Sequence, residues 1–316
     1  MKLAELTLDG VRQRLRHNGL ILRIGPFSFR LVSGLPGVAE GLWRLYADYP
    51  VLDGSTFVDY TVTLAPGRGW RRWLRRQVVF RFDGVEPFIP LPESQAFALM
   101  EWSMNWCVSA NAFHYLLLHA AVVEREGCAA ILPAPPGSGK STLCAALMNR
   151  GWRLLSDELA LISLTDTTIT PFGRPVSLKN QSIDLIRQYV PDAVFSEVSH
   201  DTSKGSVAHL KVPSAQVQRI HEPAQARWVI FPRYEAGAAP TLTLRSRAHS
   251  MLELGRNSFN YMVLGLEGFE ALTRLIDACD CHEFVYSRLD DAVAVFDRLV
   301  QERHVRPALH PAVPAP

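Results

Sequence analysis

Apolar and polar residues alternate along much of the first hundred positions, which is the pattern of half-exposed β-strands. The segments LILRIGPFSFRLVSG, STFVDYTVTLAPG and QVVFRFDG alternate in this way and break at Gly or Pro. Between the first two, GVAEGLWRLYADY has the spacing of a short amphipathic helix. The region has turn residues but no recognisable catalytic cluster. We therefore predict a separate or appended β-rich α+β region over residues 1–92.

The periodicity changes after this region. Residues 93–114 repeat apolar positions at helical spacing, and we interpret their aromatic and Met stripe as core rather than as a ligand pocket. The apolar runs YLLLHAAVV and CAAILPA, joined by EREG, predict a β-hairpin. STLCAALMNRG predicts a helix that ends at Gly151. WRLLSDELALISL predicts a strand that meets an acidic pair and continues as a strand.

The last third of the chain predicts further strands and helices around one polar segment. QSIDLIRQYV predicts a helix ended by Pro191, and the Ser-rich residues 192–215 predict a mobile active-site loop. Strands are predicted in ARWVIFPRY, TLTLRS and HEFVYS, and helices in HSMLELGRNSFNYMVLG, EGFEALTRLIDACD and LDDAVAVFDRLVQER. We therefore predict an α/β domain over residues 93–303 and a disordered Pro/Ala-rich tail at 304–316.

Composition narrows the possible partners and the compartment. Hydrophobic residues make up 48% of the 316 residues, and 33 basic residues nearly balance 31 acidic ones. This balance favours neither a nucleic acid nor a membrane surface as partner. There is no run near the roughly 18 apolar residues of a membrane span, and the N-terminus has no apolar signal core. We expect a cytoplasmic protein whose five cysteines are small buried hydrophobes in a reducing compartment.

The stretch APPGSGKST carries the strongest chemical signal in the chain. It fits the phosphate-binding pattern GxxxxGK[ST] if Ala134 replaces the first glycine. Glycines let consecutive backbone N–H groups face phosphate oxygens, and the following helix directs its positive end at the same anion. The segment lies between an apolar strand and a helix, as such a loop requires. The predicted nucleotide-binding residues are Ala134, Pro135, Pro136, Gly137, Ser138, Gly139, Lys140, Ser141 and Thr142.

Each group of such a loop has a chemical task. Lys140 is expected to reach the β- and γ-phosphates, and Ser141 or its neighbour Thr142 supplies a hydroxyl for Mg²⁺. Asp157 follows Lys140 by only 17 residues, on the strand directly after the loop helix. Many GTPases and ATPase motors have their second acidic motif much later in the chain. A carboxylate at Asp157 suits a catalytic base or a metal ligand, and Glu158 beside it is a second candidate.

At this point the sequence resembles the HPr kinase/phosphorylase family, and more closely its HprK-related kinase branch (HprK-related kinase A). The resemblance rests on LHAAVVEREGCAAILPAPPGSGKSTLCAALMNRGWRLLSDELALI, with PFGRPVSLKN and SKGSVAHLKVP as further similar segments. It covers roughly residues 115–215. It implies a mixed-sheet P-loop kinase core similar to that of phosphoenolpyruvate carboxykinase, with ATP and Mg²⁺ as cofactors and a possible homo-oligomer.

The resemblance also implies roles for individual residues. His119 matches the histidine of a His-Gly pair near the active site, and Asp157 and Glu158 match paired aspartates that serve as metal partner and catalytic base. The second acid is one methylene longer here. Arg174 matches a signature arginine that contacts phosphate, although the signature around it is missing. Ser141 and Asp157 are therefore the implied metal ligands. The missing signature weakens any inference of phosphorolysis or of HPr as acceptor.

Other residues keep two interpretations each. Arg174 and Lys179 are either transition-state cations or solvated charges, and His119 on its own is either functional or a core histidine. Lys204 and His209 either close over the ligand or belong to a plain flexible loop. Residues 67–77, GRGWRRWLRRQ, hold five arginines and two tryptophans. We interpret them as a solvated loop or helix, or as a docking surface for an acidic partner, with nucleic acid less favoured.

Three functions are consistent with these residues. The first is an ATP-dependent kinase that phosphorylates a hydroxyl, that of Ser in particular, on a peptide or protein. The second has the same chemistry on a small alcohol such as a sugar or polyol. The third is an ATP-binding regulatory module without transfer, which the acidic pair argues against. A protein kinase of this type should have a groove lined by residues 67–77 or 192–215, whereas a small-molecule kinase should have a closed polar pocket beside Asp157.

Overall fold

The computed structural model describes residues 1–67, 75–135 and 137–305, without the side chains of 303–305. Most of the Arg/Trp segment, Pro136 of the predicted phosphate loop and the tail from residue 306 lie outside these ranges. The last helix continues to Val305, two residues into the segment predicted as disordered tail. In the described part of the chain, no helix has both the length and the apolar character needed to cross a membrane.

The N-terminal region is a five-stranded sheet covered by two helices. Its strands have the order β1-β2-β3-β4-β5, and only the β2–β3 pair is parallel. Along β3, buried residues alternate with more exposed ones, which confirms the alternation in the sequence. The elements are α1 (Leu8–Arg16), β1 (Leu20–Ile24), β2 (Phe27–Ser33), α2 (Pro36–Leu45), β3 (Tyr60–Pro66), β4 (Gln77–Arg81) and β5 (Leu91–Pro92).

The second region begins with the buried helix α3 and contains the larger sheet. Its first half comprises α3 (Ala96–Asn111), β6 (Tyr115–Arg125), β7 (Cys128–Pro133), α4 (Lys140–Met148), β8 (Arg153–Ser156), β9 (Leu159–Ser163), β10 (Thr168–Thr170) and β11 (Val176–Lys179). Its second half comprises α5 (Gln181–Tyr189), β12 (Ser199–Thr202), β13 (Gly205–Leu210), α6 (Ser214–Val217), β14 (Ala224–Tyr234), β15 (Thr241–Leu244), α7 (Arg247–Arg256), α8 (Tyr261–Leu264), α9 (Leu266–Ala278), β16 (Asp280–Tyr286) and α10 (Leu289–Val305).

The larger sheet is mixed, so the fold is a mixed α/β fold. Its eight strands follow the order β10-β9-β6-β7-β14-β16-β15, with β8 paired to β6. β6 and β7 form the predicted antiparallel hairpin, whereas β7, β14 and β16 are parallel neighbours. The carboxyl ends of these three strands therefore lie at one edge of the sheet. The long strand β6 pairs with both β8 and β9, which confirms that the strand continues past the acidic pair.

Two sequence predictions about the last third of the chain were wrong. Residues 192–215 do not form an irregular mobile loop, because β12 and β13 form a hairpin that pairs with β11 in a three-stranded sheet. The segment HSMLELGRNSFNYMVLG is not one helix, since α7 ends at Arg256. The next residues bind the edge of β6 instead. Asn260 accepts a hydrogen bond from the backbone of Leu117 and donates one to Tyr115.

A continuous apolar core joins the two regions. The rings of Phe27 and Phe29 lie 5.7 and 6.1 Å from that of Phe172 in the segment before β11. The β1–β2 turn approaches the same segment closely, because a Cβ on Gly25 would lie 2.1 Å from the carbonyl oxygen of Pro171. The boundary at residue 92 stays a prediction. All five cysteines are buried, as predicted.

Candidate functional site

The loop from Ala134 to Gly139 connects β7 to α4 at the edge where the parallel strands end. Gly137 and Gly139 adopt positive φ angles of 87° and 89°, a conformation that side chains with a Cβ rarely adopt. The neighbouring parallel strands bind the loop backbone: the amide of Tyr234 donates to the carbonyl of Ser138, and the hydroxyl of Tyr286 donates to that of Gly139, each at 3.2 Å. The glycines therefore allow the bends of the loop, and hydrogen bonds from β14 and β16 fix its backbone.

Substituting Gly139 with Ala is expected to cost more stability than the same change at Gly137. Both substitutions place a Cβ on a left-handed residue, which costs about 1–2 kcal/mol. At Gly139 the new Cβ would also lie 2.6 Å from the buried hydroxyl of Tyr286, whereas at Gly137 no described atom lies within 4 Å. We expect Gly139→Ala to lower the free energy of unfolding in urea by at least about 1 kcal/mol more than Gly137→Ala. Tyr286→Phe should reduce that difference, and equal costs in both backgrounds would contradict the geometry.

Lys140 is the first residue of α4 and is almost fully buried. Only 8% of its surface is exposed, and its Nζ has no hydrogen-bond partner among the described residues. Burial lowers the pKa of Lys140, while the negative charges of Asp157 and Glu158 oppose that shift. A buried ammonium group without a partner costs free energy unless an anion binds it. Together with the N–H groups at the start of α4, the ammonium group gives this end of the helix a positive charge that favours an anion.

Asp157 and Glu158 lie at the break between β8 and β9, beside the middle of β6. Asp157 is buried, and its Oδ2 accepts a hydrogen bond of 3.0 Å from the backbone of Ser177. Its Oδ1 is buried and has no partner among the described residues. Burial and the neighbouring charge of Glu158 raise the pKa of Asp157, and Lys140 opposes them. This carboxylate is held by one oxygen and keeps the other available.

Glu158 lies in a different electrostatic environment. Its Oε2 accepts a hydrogen bond of 2.6 Å from Asn105, and its Oε1 lies 3.9 Å from the Nζ of Lys179. Burial acts to raise the pKa of Glu158, but the positive charges of Lys204, Lys179 and other cations together lower it. The two adjacent acids therefore differ, one favouring the protonated and one the ionised form. Such a divergence is typical of carboxylates with separate chemical roles.

His119 lies on β6, opposite Leu159 and next to the acidic pair. Its ring is 5.7 Å from that of Phe259. Burial, followed by the charge of Lys140, lowers the pKa of His119 to about 4. The imidazole is therefore neutral at neutral pH. The structure brings His119 to the site, and its catalytic role stays a prediction.

Acidification is expected to destabilise the protein between about pH 6.5 and 4. The unfolded chain binds protons on His119 and His209 in this range, whereas burial lowers their pKa values in the folded protein to about 4 and about 3. Their contribution to stability is therefore present above pH 6.5 and is lost as the pH falls. We expect His119→Gln to reduce this loss by about 1–2 kcal/mol after solvent screening. Urea denaturation at pH 7 and pH 5 measures how much unfolding free energy is lost between these pH values. His17→Gln, at an exposed position, is the control. An unchanged pH dependence in His119→Gln would contradict the assignment.

Arg174 is buried and bound within the protein. Its guanidinium donates to the carboxylate of Glu101 at 2.6 Å, and it also bonds the side-chain oxygen of Asn105. The ring of Phe172 lies under its Cζ at 4.9 Å. The guanidinium of Arg174 thus has two protein partners, Glu101 and Asn105. The phosphate contact predicted for Arg174 stays a prediction. Lys204 lies in the turn between β12 and β13. Its Nζ is 5.4 Å from the centre of the Trp102 ring.

The two hydroxyl candidates for a metal differ in their contacts. The hydroxyl of Thr142 donates to Ser182 on α5 at 2.8 Å, whereas the hydroxyl of Ser141 has no side-chain partner among the described residues. Within the described ranges there is no cluster of three or more His, Cys, Asp or Glu that could hold a metal ion. Asp157 and Ser141 offer hard oxygen atoms, which Mg²⁺ prefers, and Mg²⁺ usually takes its remaining ligands from phosphates and water. The donor set therefore fits a phosphate-bound Mg²⁺ rather than a metal held by the protein alone.

Unpartnered buried polar atoms concentrate at this site. Ten such side-chain atoms occur in the described residues, and seven of them are in the loop, in the first residue of α4 or in the wall of one cavity. The cavity, about 10 Å³, has room for about one water molecule and is lined by both acids. The seven residues are Trp102, Ser138, Lys140, Asp157, Arg174, Ser177 and His209. Because buried polar groups normally have partners, this concentration indicates a site for a polar ligand.

Sequence reasoning missed several residues that the structure adds to the site. Glu101 and Asn105 interrupt the apolar stripe of α3 four positions apart, so they lie on one face of the helix. A carboxylate and a carboxamide on the same face of a largely buried helix were a usable signal. Ser177 and Ser182, which bind Asp157 and Thr142, left no signal of this kind.

Comparisons with known proteins add little to this geometry. No family model matches the chain, and no curated protein matches it. Among solved structures, the chain is similar to the Hpr(Ser) kinase/phosphatase from Coxiella burnetii, with 12% sequence identity and a TM-score of 0.28. The match covers 59% of this chain and 98% of that one. A likeness this small carries no argument about fold or function, so the functional conclusion depends on the site itself.

Proposed function

We propose that the protein is an ATP-dependent kinase that transfers the γ-phosphoryl group to a hydroxyl, that of Ser in particular, on a peptide or protein. The observation that carries this proposal is the buried, unpartnered ammonium of Lys140 at the start of α4. It follows a loop bent by two left-handed glycines, and its charge interacts with that of Asp157. An anion-binding loop beside a carboxylate is what phosphoryl transfer to an alcohol requires.

In this proposal the loop binds the nucleotide phosphates. Backbone N–H groups of the loop and the first turn of α4 face the phosphate oxygens, and Lys140 neutralises charge on the β- and γ-phosphates. Ser141 would hold Mg²⁺ together with phosphate and water oxygens, because this proposal reserves the free Oδ1 of Asp157 for the acceptor hydroxyl. When bound, Mg²⁺ supplies positive charge that stabilises the transferring phosphoryl group.

The acidic pair activates the acceptor. An attacking hydroxyl must lose a proton, and the free Oδ1 of Asp157 accepts it. Its raised pKa suits this task better than the lowered pKa of Glu158. The Ser177 backbone fixes the other oxygen of Asp157, so the accepting oxygen has a defined orientation. Glu158 remains ionised and balances the positive charges of Lys179 and Lys204.

A surface groove supports a peptide or protein acceptor. The cavity beside Asp157, at about 10 Å³, has room for about one water molecule. A larger cavity of about 550 Å³ is lined by Arg76 of the Arg/Trp segment and by Ser196, Glu197, Val198 and Ser199. This is where a protein kinase of this type was expected to have a groove. An acceptor that presents its hydroxyl from outside the protein fits this arrangement.

The proposal is tested by incubating the protein with Mg²⁺, γ-labelled ATP and a lysate of the source cell. Label on a peptide or protein band that is lost in an Asp157→Asn variant is the expected result. Label found only in a small-molecule fraction would replace the peptide acceptor by a small alcohol. ATP binding without any transfer would leave a regulatory nucleotide-binding module and overturn the kinase proposal.

A further inference from the structure

Asn105 connects Glu158 of the acidic pair to the guanidinium of Arg174. Its Nδ2 donates to the Oε2 of Glu158 at 2.6 Å, and its Oδ1 accepts from the Nη2 of Arg174. The orientation of the amide follows from these partners, because a guanidinium only donates and a carboxylate only accepts. A carboxamide can satisfy both at once, which neither a charged nor an aliphatic side chain can do.

The chain of hydrogen bonds continues into the N-terminal region. Arg174 donates to Oε2 of Glu101 at 2.6 Å and to its backbone carbonyl at 3.1 Å. The other carboxylate oxygen of Glu101 accepts a bond of 2.7 Å from the hydroxyl of Tyr46, the residue that ends α2. A second tyrosine, Tyr49, donates to the carbonyl of Gly173 at 2.9 Å. Two side chains of the N-terminal region therefore hold the segment that carries Arg174.

Burial gives this network little freedom to rearrange. Tyr46, Glu101 and Arg174 expose at most 7% of their surface. Breaking any one of these bonds would leave a buried polar or charged group without a partner, which is costly. Glu158 is the terminal group of the chain, it lines the small cavity, and it is 18% exposed on its side chain. The Oε2 atom of Glu158 is thus held from the interior by Asn105, while its Oε1 faces Lys179.

We propose that Asn105 is a positioning residue that fixes the Glu158 carboxylate beside Asp157, and that Tyr46, Glu101 and Arg174 anchor it from the N-terminal region. The inference rests on the proposed kinase function for its catalytic consequence. It gives the N-terminal region a task in the site: its two tyrosines determine where Arg174 lies, and Arg174 holds the amide that holds Glu158. In this arrangement Arg174 acts through Asn105 rather than on the phosphate.

The first test separates the two bonds of Asn105. Asn105→Asp retains an acceptor for Arg174 but replaces the donor toward Glu158 by a carboxylate oxygen. We expect kcat for phosphoryl transfer to fall about 10- to 100-fold, since small misplacements of catalytic groups have effects of this size. The KM for ATP should change less than about threefold, because the phosphate loop is untouched. Asn111→Asp is the matched control, since Asn111 lies on the same helix and donates only to the carbonyl of Cys107.

A double-mutant cycle shows whether Asn105 acts through Glu158. In a Glu158→Gln background, Asn105→Asp should lower kcat by no more than about threefold further, because the group that it positions has already been altered. Tyr46→Phe removes only the hydroxyl at the far end and should lower kcat several-fold in a protein that still folds. The proposal is overturned if the Asn105→Asp loss is the same in both backgrounds, if it occurs in KM alone, or if Glu158→Gln leaves kcat within about threefold of wild type.

A second readout does not require activity, so failure of the kinase proposal and failure of this one can be told apart. In NMR spectra of the full chain, a side-chain amide proton of Asn105 bound to a carboxylate should resonate downfield and exchange slowly with solvent. Glu158→Gln should move that signal, and Tyr46→Phe should move it less. If the wild type transfers no phosphate but the signal responds in this way, only the kinase proposal falls. A signal that is unaffected by Glu158→Gln overturns the positioning proposal.

Discussion

Replacing Lys140 with Met is expected to weaken binding of a non-hydrolysable ATP analogue at least 100-fold while leaving the free protein as stable as wild type or more so. The ammonium of Lys140 has no hydrogen-bond partner in the part of the chain that the structure describes, and the residue is 8% exposed, so in the free protein its burial is a cost. A bound triphosphate would turn the same group into a charge-assisted hydrogen-bond donor in a site of low dielectric constant, where such bonds are strong. Loss of binding and gain of stability should therefore occur together.

Calorimetric titration with the analogue and thermal unfolding of the free protein measure the two effects. Lys211→Met is the matched control, because Lys211 forms an ion pair of 3.0 Å with Asp48 and is not part of the loop. That control should lose some stability and bind the analogue as wild type does. If Lys140→Met binds within about threefold of wild type, the loop is not the nucleotide site and the proposed function fails at its first step.

What the sequence predicted correctly is local in the chain. The β6–β7 hairpin, the loop, α4 and the strands on both sides of the acids form one nearly continuous segment, and each element has its own periodicity and turn residues. The wrong predictions depended on distant partners. Residues 192–215 are polar and Ser-rich as a whole, and β12 and β13 are strands within them because they pair with each other and β13 pairs with β11. The helix predicted over residues 249–265 is interrupted after Arg256, because Asn260 binds the backbone of β6. Such pairings override local propensity, which a single sequence cannot reveal.

The same distinction applies to the candidate site. Lys140 and the acidic pair could be predicted because the loop pattern and the spacing are written in sequence order. The partners that give them their properties come from elsewhere: Asn105 from α3, Ser177 from β11, and Lys204 from the β12–β13 turn. The region predicted as appended also reaches the site, since the hydroxyl of Tyr46 bonds the carboxylate that binds Arg174. Electrostatic environment is a property of the assembled fold, so the sequence could name candidate residues but not the partners that surround them.

Replacing Asp157 with Asn is expected to lower kcat for phosphoryl transfer by about 10²- to 10⁴-fold, the usual contribution of a general base. The substitution should change affinity for the ATP analogue less than about threefold, because Lys140 and the loop are retained. The amide oxygen can still accept the hydrogen bond from Ser177, so the fold around the site is preserved. Asp166→Asn is the matched control, since Asp166 lies in an exposed turn and accepts a bond from the backbone of Thr168. It should leave kcat within about twofold of wild type.

The stability of Asp157→Asn provides an independent check on the environment of this carboxylate. Burial and Glu158 raise the pKa of Asp157, so the folded protein holds a proton there more tightly than the unfolded chain does. The contribution of this group to stability is therefore present below the unfolded pKa and is lost as the pH rises, so it is smaller at pH 7 than at pH 4. Asp157→Asn should thus raise the midpoint of thermal unfolding more at pH 7 than at pH 4. A variant that loses stability at pH 7 would show that the charge of Asp157 is compensated in the free protein, and a kcat near wild type would exclude Asp157 as the base.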